Sequence, residues 1–278
     1  MKYIVIGTHG LFNKPEPEIL KDGWQKAIIE GLKKNQDVNA EDINFEMLYW
    51  ADLMYNTYDD EAKLYKEAKK DSLKEYKENW IDSARAFTQS VVDTPLEYMK
   101  SAFDIDLLIN GVLKIMYEDL YRYYQEKDKK KEVRQRFIDT FTTHKDKKII
   151  FVAHSMGSIV AYESLLKLSE LEPSIQIEHF ITIGSPLGLP HVKYNIYEEF
   201  KKTVTPENVK KWSNFSDKRD LVALDTHIRD DYGPNANTIR VEDDLIINDW
   251  EGNAHKSYGY LRAPEFSKAI KLTLRGEL

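Results

Sequence analysis

The chain has 278 residues, 42% apolar and 31% charged, with a net charge of −7 from 47 acids against 40 bases. That balance excludes a disordered chain and argues against a general nucleic-acid binder, which needs a concentrated basic surface. Cysteine is absent, which excludes disulfides, zinc-thiolate sites and thiol nucleophiles.

A chain of this length can form one large α/β domain and still carry an insertion. The basic run at 127–131 is diluted by Glu126, Asp128 and Glu132 and reads as a solvated helix end. The opening Met1-Lys2-Tyr3-Ile4-Val5-Ile6-Gly7 is too short for the apolar part of a signal peptide. No window approaches the roughly 20 apolar residues of a membrane span, so a cytoplasmic protein is the default expectation.

In chain order, residues 3–6 read as a strand closed by Gly7, and Trp24, Ala27, Ile28 and Leu32 mark a helix over 24–32. Ile43, Phe45, Met47 and Tyr49 alternate with polar Asn44 and Glu46, which predicts a strand within 43–50. From 51 to 144 the composition changes: Gly111 is the one glycine, and Lys, Glu, Asp and Tyr dominate. Phe103, Leu107, Leu108, Val112, Ile115, Met116 and Leu120 recur at helical steps, as do Val133, Phe137, Ile138 and Phe141. Pro95 marks a turn or a helix start. Residues 51–144 therefore read as an all-helical insertion whose last helix docks back on the sheet, between core segments 1–50 and 145–278. After it come a buried strand at 148–152, a helix at 157–171, a strand at 175–183 and a weaker one at 209–215. Residues 238–241 and 245–248 look like a hairpin around Glu242-Asp243-Asp244, and a helix at 264–274 closes the chain. This alternation predicts an α/β fold, a mostly parallel sheet flanked by helices.

The central signal is strand, then Ala153-His154-Ser155-Met156-Gly157, then helix. A serine on a sharp strand-to-helix turn has a strained backbone, and its neighbours two residues away on either side approach each other, so both must be small. Ala153 and Gly157 satisfy this, although alanine replaces the usual first glycine. The turn exposes the Ser155 hydroxyl above the carboxyl ends of the strands, where ligand sites of α/β sheets lie. The amide of Met156 points into the same space, as an oxyanion donor would.

A serine hydroxyl needs a base. Four histidines follow Ser155: His179, His191, His227 and His255. The first two come too early to leave room for an acid in the order nucleophile, acid, histidine. His255 lies in a polar loop before the last helix, where the base belongs; His227 is the alternative. The acid belongs just after the penultimate strand, where Asp220 precedes apolar Leu221-Val222. Asp217 is a rival and Asp225 a weaker one. A second oxyanion amide should come from Gly7-Thr8-His9-Gly10-Leu11-Phe12 after the first strand, and Leu11 is the candidate. His9, Phe12 and His154 are expected to contact substrate, with His9 also able to brace its loop by hydrogen bonding.

Taken together, the His9-Gly10 loop, the elbow at Ser155, Gly184-Ser185-Pro186-Leu187-Gly188 and the pair Asp220 and His255 resemble the lipase/esterase branch of the α/β-hydrolase superfamily. Within it the chain is similar to bacterial hydrolases related to lipases and to GPI-inositol-deacylase-like enzymes. The resemblance covers roughly 1–50 and 145–278. It implies an α/β-hydrolase fold in which the insertion forms a lid. It also implies cleavage of carboxylic esters through an acyl-enzyme on Ser155, with His255 as base and Asp220 as orienting acid. The same machinery serves a thioesterase, a peptidase or an acyltransferase, and the scaffold also serves non-catalytic interaction modules. No metal or organic cofactor is required. The expected partner is a small-molecule or lipid ester, with transient contact at a membrane surface and no nucleic acid; the sequence does not fix the oligomeric state.

Overall fold

Short apolar runs closed by glycine or polar turns become parallel strands in the computed structural model, which describes residues 2–40, 43–69, 73–77 and 120–277. The chain forms β1 (Tyr3–Thr8), α1 (Pro17–Gln36), β2 (Phe45–Leu48), α2 (Lys127–Thr143), β3 (Lys148–His154), α3 (Met156–Leu171), β4 (Ile177–Ile183) and α4 (Pro190–Phe200). It continues through β5 (Trp212–Ser216), β6 (Val241–Leu245), α5 (Ser257–Leu261) and α6 (Pro264–Arg275). The six strands lie in the order β2-β1-β3-β4-β5-β6, and every neighbouring pair is parallel.

Side chains alternate across the sheet. Ile4, Ile6, Ile149, Phe151, Ala153, Phe180 and Trp212 share one core cluster with Phe137 and Phe141 of α2 and with Ile159 and Val160 of α3. Val5, Ile150, Val152, Ile181, Ile183 and Phe215 share the other with Trp24, Ala27 and Ile28 of α1 and with Phe266 and Ile270 of α6. A strand covered on both faces reads as a continuous apolar run, which is why 149–152 stands out in the sequence.

The connection after β1 leads to β2 on one side, and the chain then returns to β3 on the other. Thr8 stands in register with Ala153, so the loops leaving β1 and β3 emerge side by side. This reversal of strand order is the crevice in which open α/β sheets place ligands.

Two readings of the sequence need correction. The expected hairpin at 238–248 is one parallel strand, β6, pairing Trp212 with Val241 through Ser216 with Leu245. The acidic triplet suggested a turn, but β6 is an edge strand, where outward charge is tolerated and discourages edge-to-edge pairing. Glu242 and Asp244 face solvent, while Asp243 accepts hydrogen bonds from Asn214 Nδ2 and the amide of Arg229. The insertion is also not helical throughout: the described residues 54–69 and 73–77 contain no helix. Tertiary partners take up this backbone instead. Asp59 N donates to Lys14 O, Ala68 N to Glu30, and Arg262 to the carbonyl of Lys66. The apolar stripe from Phe103 lies outside the described residues up to Leu120, as does Pro95. Helix α2 does dock on the sheet, through Phe137 and Phe141 against Phe151. Helix α4 is an element that the apolar periodicity does not mark, although Pro190 stands at its first turn.

Among the described residues, no helix is long and apolar enough to cross a membrane. Phe151, with ring centroids of Phe141 at 4.9 Å and Phe180 at 5.6 Å, is the centre of one apolar layer. Phe151→Ala is expected to lower stability by about 3–5 kcal/mol in urea denaturation, because the cavity cannot close between a sheet and a helix.

Candidate active site

β3 ends at His154, and Ser155 then takes φ 57° and ψ −136° before α3 begins. A non-glycine residue in this region is strained and persists only where its surroundings hold it. Here the Ser155 amide donates to the Ile183 carbonyl at 3.1 Å. Its own carbonyl accepts from the Ser158 amide at 2.9 Å and the Ser158 hydroxyl at 2.5 Å. Ser158 Oγ in turn lies 2.6 Å from Ser185 Oγ, which ties the turn to the loop after β4.

The need for small neighbours has a specific cause. A Cβ on Gly157 would stand 2.2 Å from the carbonyl oxygen of His9, and one on Gly10 would stand 2.4 Å from Ser155 Cβ. The main chain of the β1 loop therefore lies directly on the turn that carries Ser155.

Three residues from distant parts of the chain meet at this point. The Ser155 hydroxyl donates to His255 Nε2 at 2.9 Å, and His255 Nδ1 donates to Asp220 Oδ2 at 2.8 Å. Asp220 is buried and held by further partners: Oδ1 accepts the Val222 amide at 2.9 Å, and Oδ2 also accepts the Tyr260 hydroxyl at 2.7 Å. Burial and the nearby Asp220 charge push the Tyr260 phenol well up, so it stays a donor. The other sequence candidates lie elsewhere. Asp217 is taken up by Arg219 and by the amide of Asn248. Asp225 accepts the His227 amide beside Gly188, and His227 pairs with Thr226 Oγ1 at an exposed position.

His9 and His154 both make their described ring hydrogen bonds to the backbone of neighbouring loops. The ring of His9 stacks on Trp50 with centroids 5.0 Å apart. Its Nδ1 donates to the Gly10 carbonyl, and its Nε2 accepts the Trp50 amide. Both nitrogens are used, so His9 braces the loop. His154 Nε2 donates to the carbonyl of His255 at 2.8 Å, with the two rings 4.7 Å apart. It therefore holds the loop that carries His255. Phe12 is half-buried with φ 68°, another left-handed residue in the β1 loop. The Lys14 ammonium bonds the carbonyls of Leu11 and Phe12 and so fixes this turn. Leu11 is buried nearby and Met156 fully so, each adjoining a residue that touches Ser155 in sequence or space.

Sequence reasoning missed Tyr260 and Asn248. Tyr260 sits on α5 and its hydroxyl partner is 40 residues away, so no local spacing could reveal it.

This geometry can be set beside known families. The chain matches the family model described as PGAP1-like alpha/beta domain over residues 49–248, more than half of its length. The chain belongs to this family. The PGAP1-like family is of the α/β-hydrolase type, which marks the chain as a hydrolase. The matched span includes Ser155 and Asp220 and ends before His255. No curated protein and no solved structure matches the chain.

Burial first, and then the neighbouring Lys14 charge, lowers the His9 pKa from 6.5 to about 3. Burial, then His255, lowers that of His154 as well. Below pH 6.5 the unfolded chain binds protons at these positions that the folded chain refuses. The His9 contribution to stability is thus complete above pH 6.5 and is lost as pH falls towards 3, by roughly 1.4 kcal/mol per pH unit, and His154 acts in the same direction. The urea midpoint of the wild type is expected to drop between about pH 7.5 and about pH 5.5, and the drop should shrink in His9→Gln.

Gly157→Ala should lower the thermal midpoint, by about 1–3 kcal/mol in stability, because the obstructing atom is backbone.

Proposed function

We propose that the chain cleaves carboxylic esters through an acyl-enzyme on Ser155. The observation that carries this reading is the unbroken hydrogen-bond path from Ser155 Oγ through both ring nitrogens of His255 to Asp220, with links of 2.9 Å and 2.8 Å. A serine, an imidazole and a buried carboxylate in that geometry can move one proton in either direction, and acyl transfer requires this.

In the first half-reaction, His255 takes the hydroxyl proton as Ser155 attacks the ester carbonyl. Asp220 holds the imidazole with Nδ1 protonated and stabilises the cation that forms. Tyr260 keeps the carboxylate turned towards His255. The amides of Met156 and Leu11 carry the charge on the carbonyl oxygen; the close approach of Gly10 to Ser155 supports the second of these. His255 then gives the proton to the departing alcohol. Water repeats the sequence on the acyl-enzyme and regenerates Ser155.

The substrate class is a small-molecule or lipid ester. Half-buried Phe12, in the β1 loop that lies on the Ser155 turn, packs against the apolar cluster that contains Leu11 and Met156, which supports an apolar acyl group over a charged one. Transient contact with a membrane surface belongs to the same proposal.

Two experiments test it. The wild type should react with a fluorophosphonate probe at Ser155 and hydrolyse p-nitrophenyl esters, and Ser155→Ala should lose on the order of 10⁴-fold or more of that turnover while remaining folded. Full activity in Ser155→Ala would sink the proposal. Asp220→Asn should lower kcat on the order of 10⁴-fold, well beyond the effect of Asp217→Asn. The reverse ranking would return the acid role to Asp217.

A further inference from the structure

His255 sits in a loop, at 249–256, with no helix or strand of its own. Such a loop does not fix an imidazole to within hydrogen-bond tolerance unless its backbone is tied down from outside. The ties are specific. Asn248 Nδ2 donates to the carbonyl of Ala254 at 2.8 Å and to that of Lys256 at 2.9 Å. These are the residues on either side of His255, and the His255 carbonyl itself is held by His154 Nε2 at 2.8 Å. One amide group thus spans the residue that carries the imidazole.

Asn248 is itself immobilised. Its side chain is oriented unambiguously, because Oδ1 accepts the Trp250 amide at 3.0 Å while Nδ2 faces two carbonyls. Its backbone amide donates to Asp217 Oδ2 at 2.6 Å, and its carbonyl accepts from Arg219 at 2.7 Å. Asp217 belongs to the turn that presents Asp220, whose amide donates to the Asp217 carbonyl at 2.8 Å. Asn248 is only 2% exposed, and a Cβ on Gly259 would stand 1.8 Å from its Oδ1, so neighbouring backbone closes around it.

We propose that Asn248 is the positioning residue of His255, linking the turn that carries Asp220 to the loop that carries the imidazole. This inference rests on the hydrolase reading of Ser155, His255 and Asp220. Asn248 touches none of the reacting atoms; it acts by fixing the backbone that aims the imidazole at Ser155. The acidic side chain of Asp217 then has a structural purpose: it anchors Asn248, which accounts for a buried aspartate so close to Asp220.

The chemistry sets what can replace the residue. Aspartate has the same shape and keeps an acceptor for the Trp250 amide, but it lacks both donors. Alanine lacks donors and acceptor alike. Misplacement of a reacting group by about 1 Å lowers turnover on the order of 10²-fold without touching substrate affinity.

The test compares wild type, Asn248→Ala and the isosteric Asn248→Asp, each as the full chain. Fluorophosphonate titration counts reactive Ser155, and kcat and KM for p-nitrophenyl butyrate are expressed per reactive serine. Circular dichroism and the thermal midpoint identify a variant that fails to fold, in which case the isosteric variant carries the test. The expected result is a fall in kcat on the order of 10²-fold per reactive serine, with KM within about twofold. A loss confined to the number of reactive serines, with kcat per serine unchanged, marks a structural role alone and overturns the proposal. Failure of the wild type to label at Ser155 overturns the hydrolase reading itself, so the two failures are told apart.

Discussion

The left-handed backbone of Ser155 is the constraint on which the rest of the site depends. A φ of 57° is unfavourable for an L-residue, and nothing within the turn supplies the compensation. Three neighbouring elements hold it: the Ile183 carbonyl at the end of β4, the Ser158 hydroxyl on α3, and the β1 loop packed against it at Gly10 and Gly157. Because those elements also define the crevice between β1 and β3, the strain and the position of the crevice have a common cause. The hydroxyl stands above the sheet because the turn is sharp, and the turn is sharp because strand and helix are each buried on their own apolar faces.

The second requirement is that two irregular loops face that hydroxyl in a fixed arrangement. Neither has regular secondary structure, so buried polar side chains take over the work that a hydrogen-bond ladder does in a sheet. Tyr260, on α5 directly after the His255 loop, ties that helix to the Asp220 turn by donating to Asp220 while accepting the amide of Asp217. His154, adjacent to Ser155 in sequence, reaches the backbone of His255, 101 residues away. A neutral imidazole suits that position, because a cation buried against a second histidine would be repelled whenever His255 gained a proton.

Buried ion clusters fix the described ends of the insertion to this frame. Glu30 accepts from Lys34, Tyr65 and Arg262, and Arg262 also bonds Asp249 at the start of the His255 loop. At the other end, Arg134 of α2 pairs with fully buried Glu163 on α3 and with Glu199 on α4, and Tyr123 donates to the same Glu163. Such clusters add little net stability over apolar packing, but removing one partner leaves a buried charge uncompensated. They make the path of the chain specific at the two places where it leaves and rejoins the sheet.

The sequence by itself determined the α/β class, the strand that leads into Ser155 and the sharp strand-to-helix turn that carries it. These were legible because strand burial, turn geometry and small-residue requirements leave local patterns with fixed spacing. It also anticipated the β1 loop, since glycine beside a strand end marks close backbone approach. Tertiary structure alone decided the rest. It gave Asp217 and Asp220, two carboxylates three positions apart, different distant partners that lie 31 to 40 residues away. It set His9 and His154 as braces between loops, made one edge strand of an acidic stretch that read as a turn, and brought Asn248 and Tyr260 to the loops. Hydrogen bonds between residues far apart in the chain have no period and no spacing, so they appear only when the sheet has set those residues side by side.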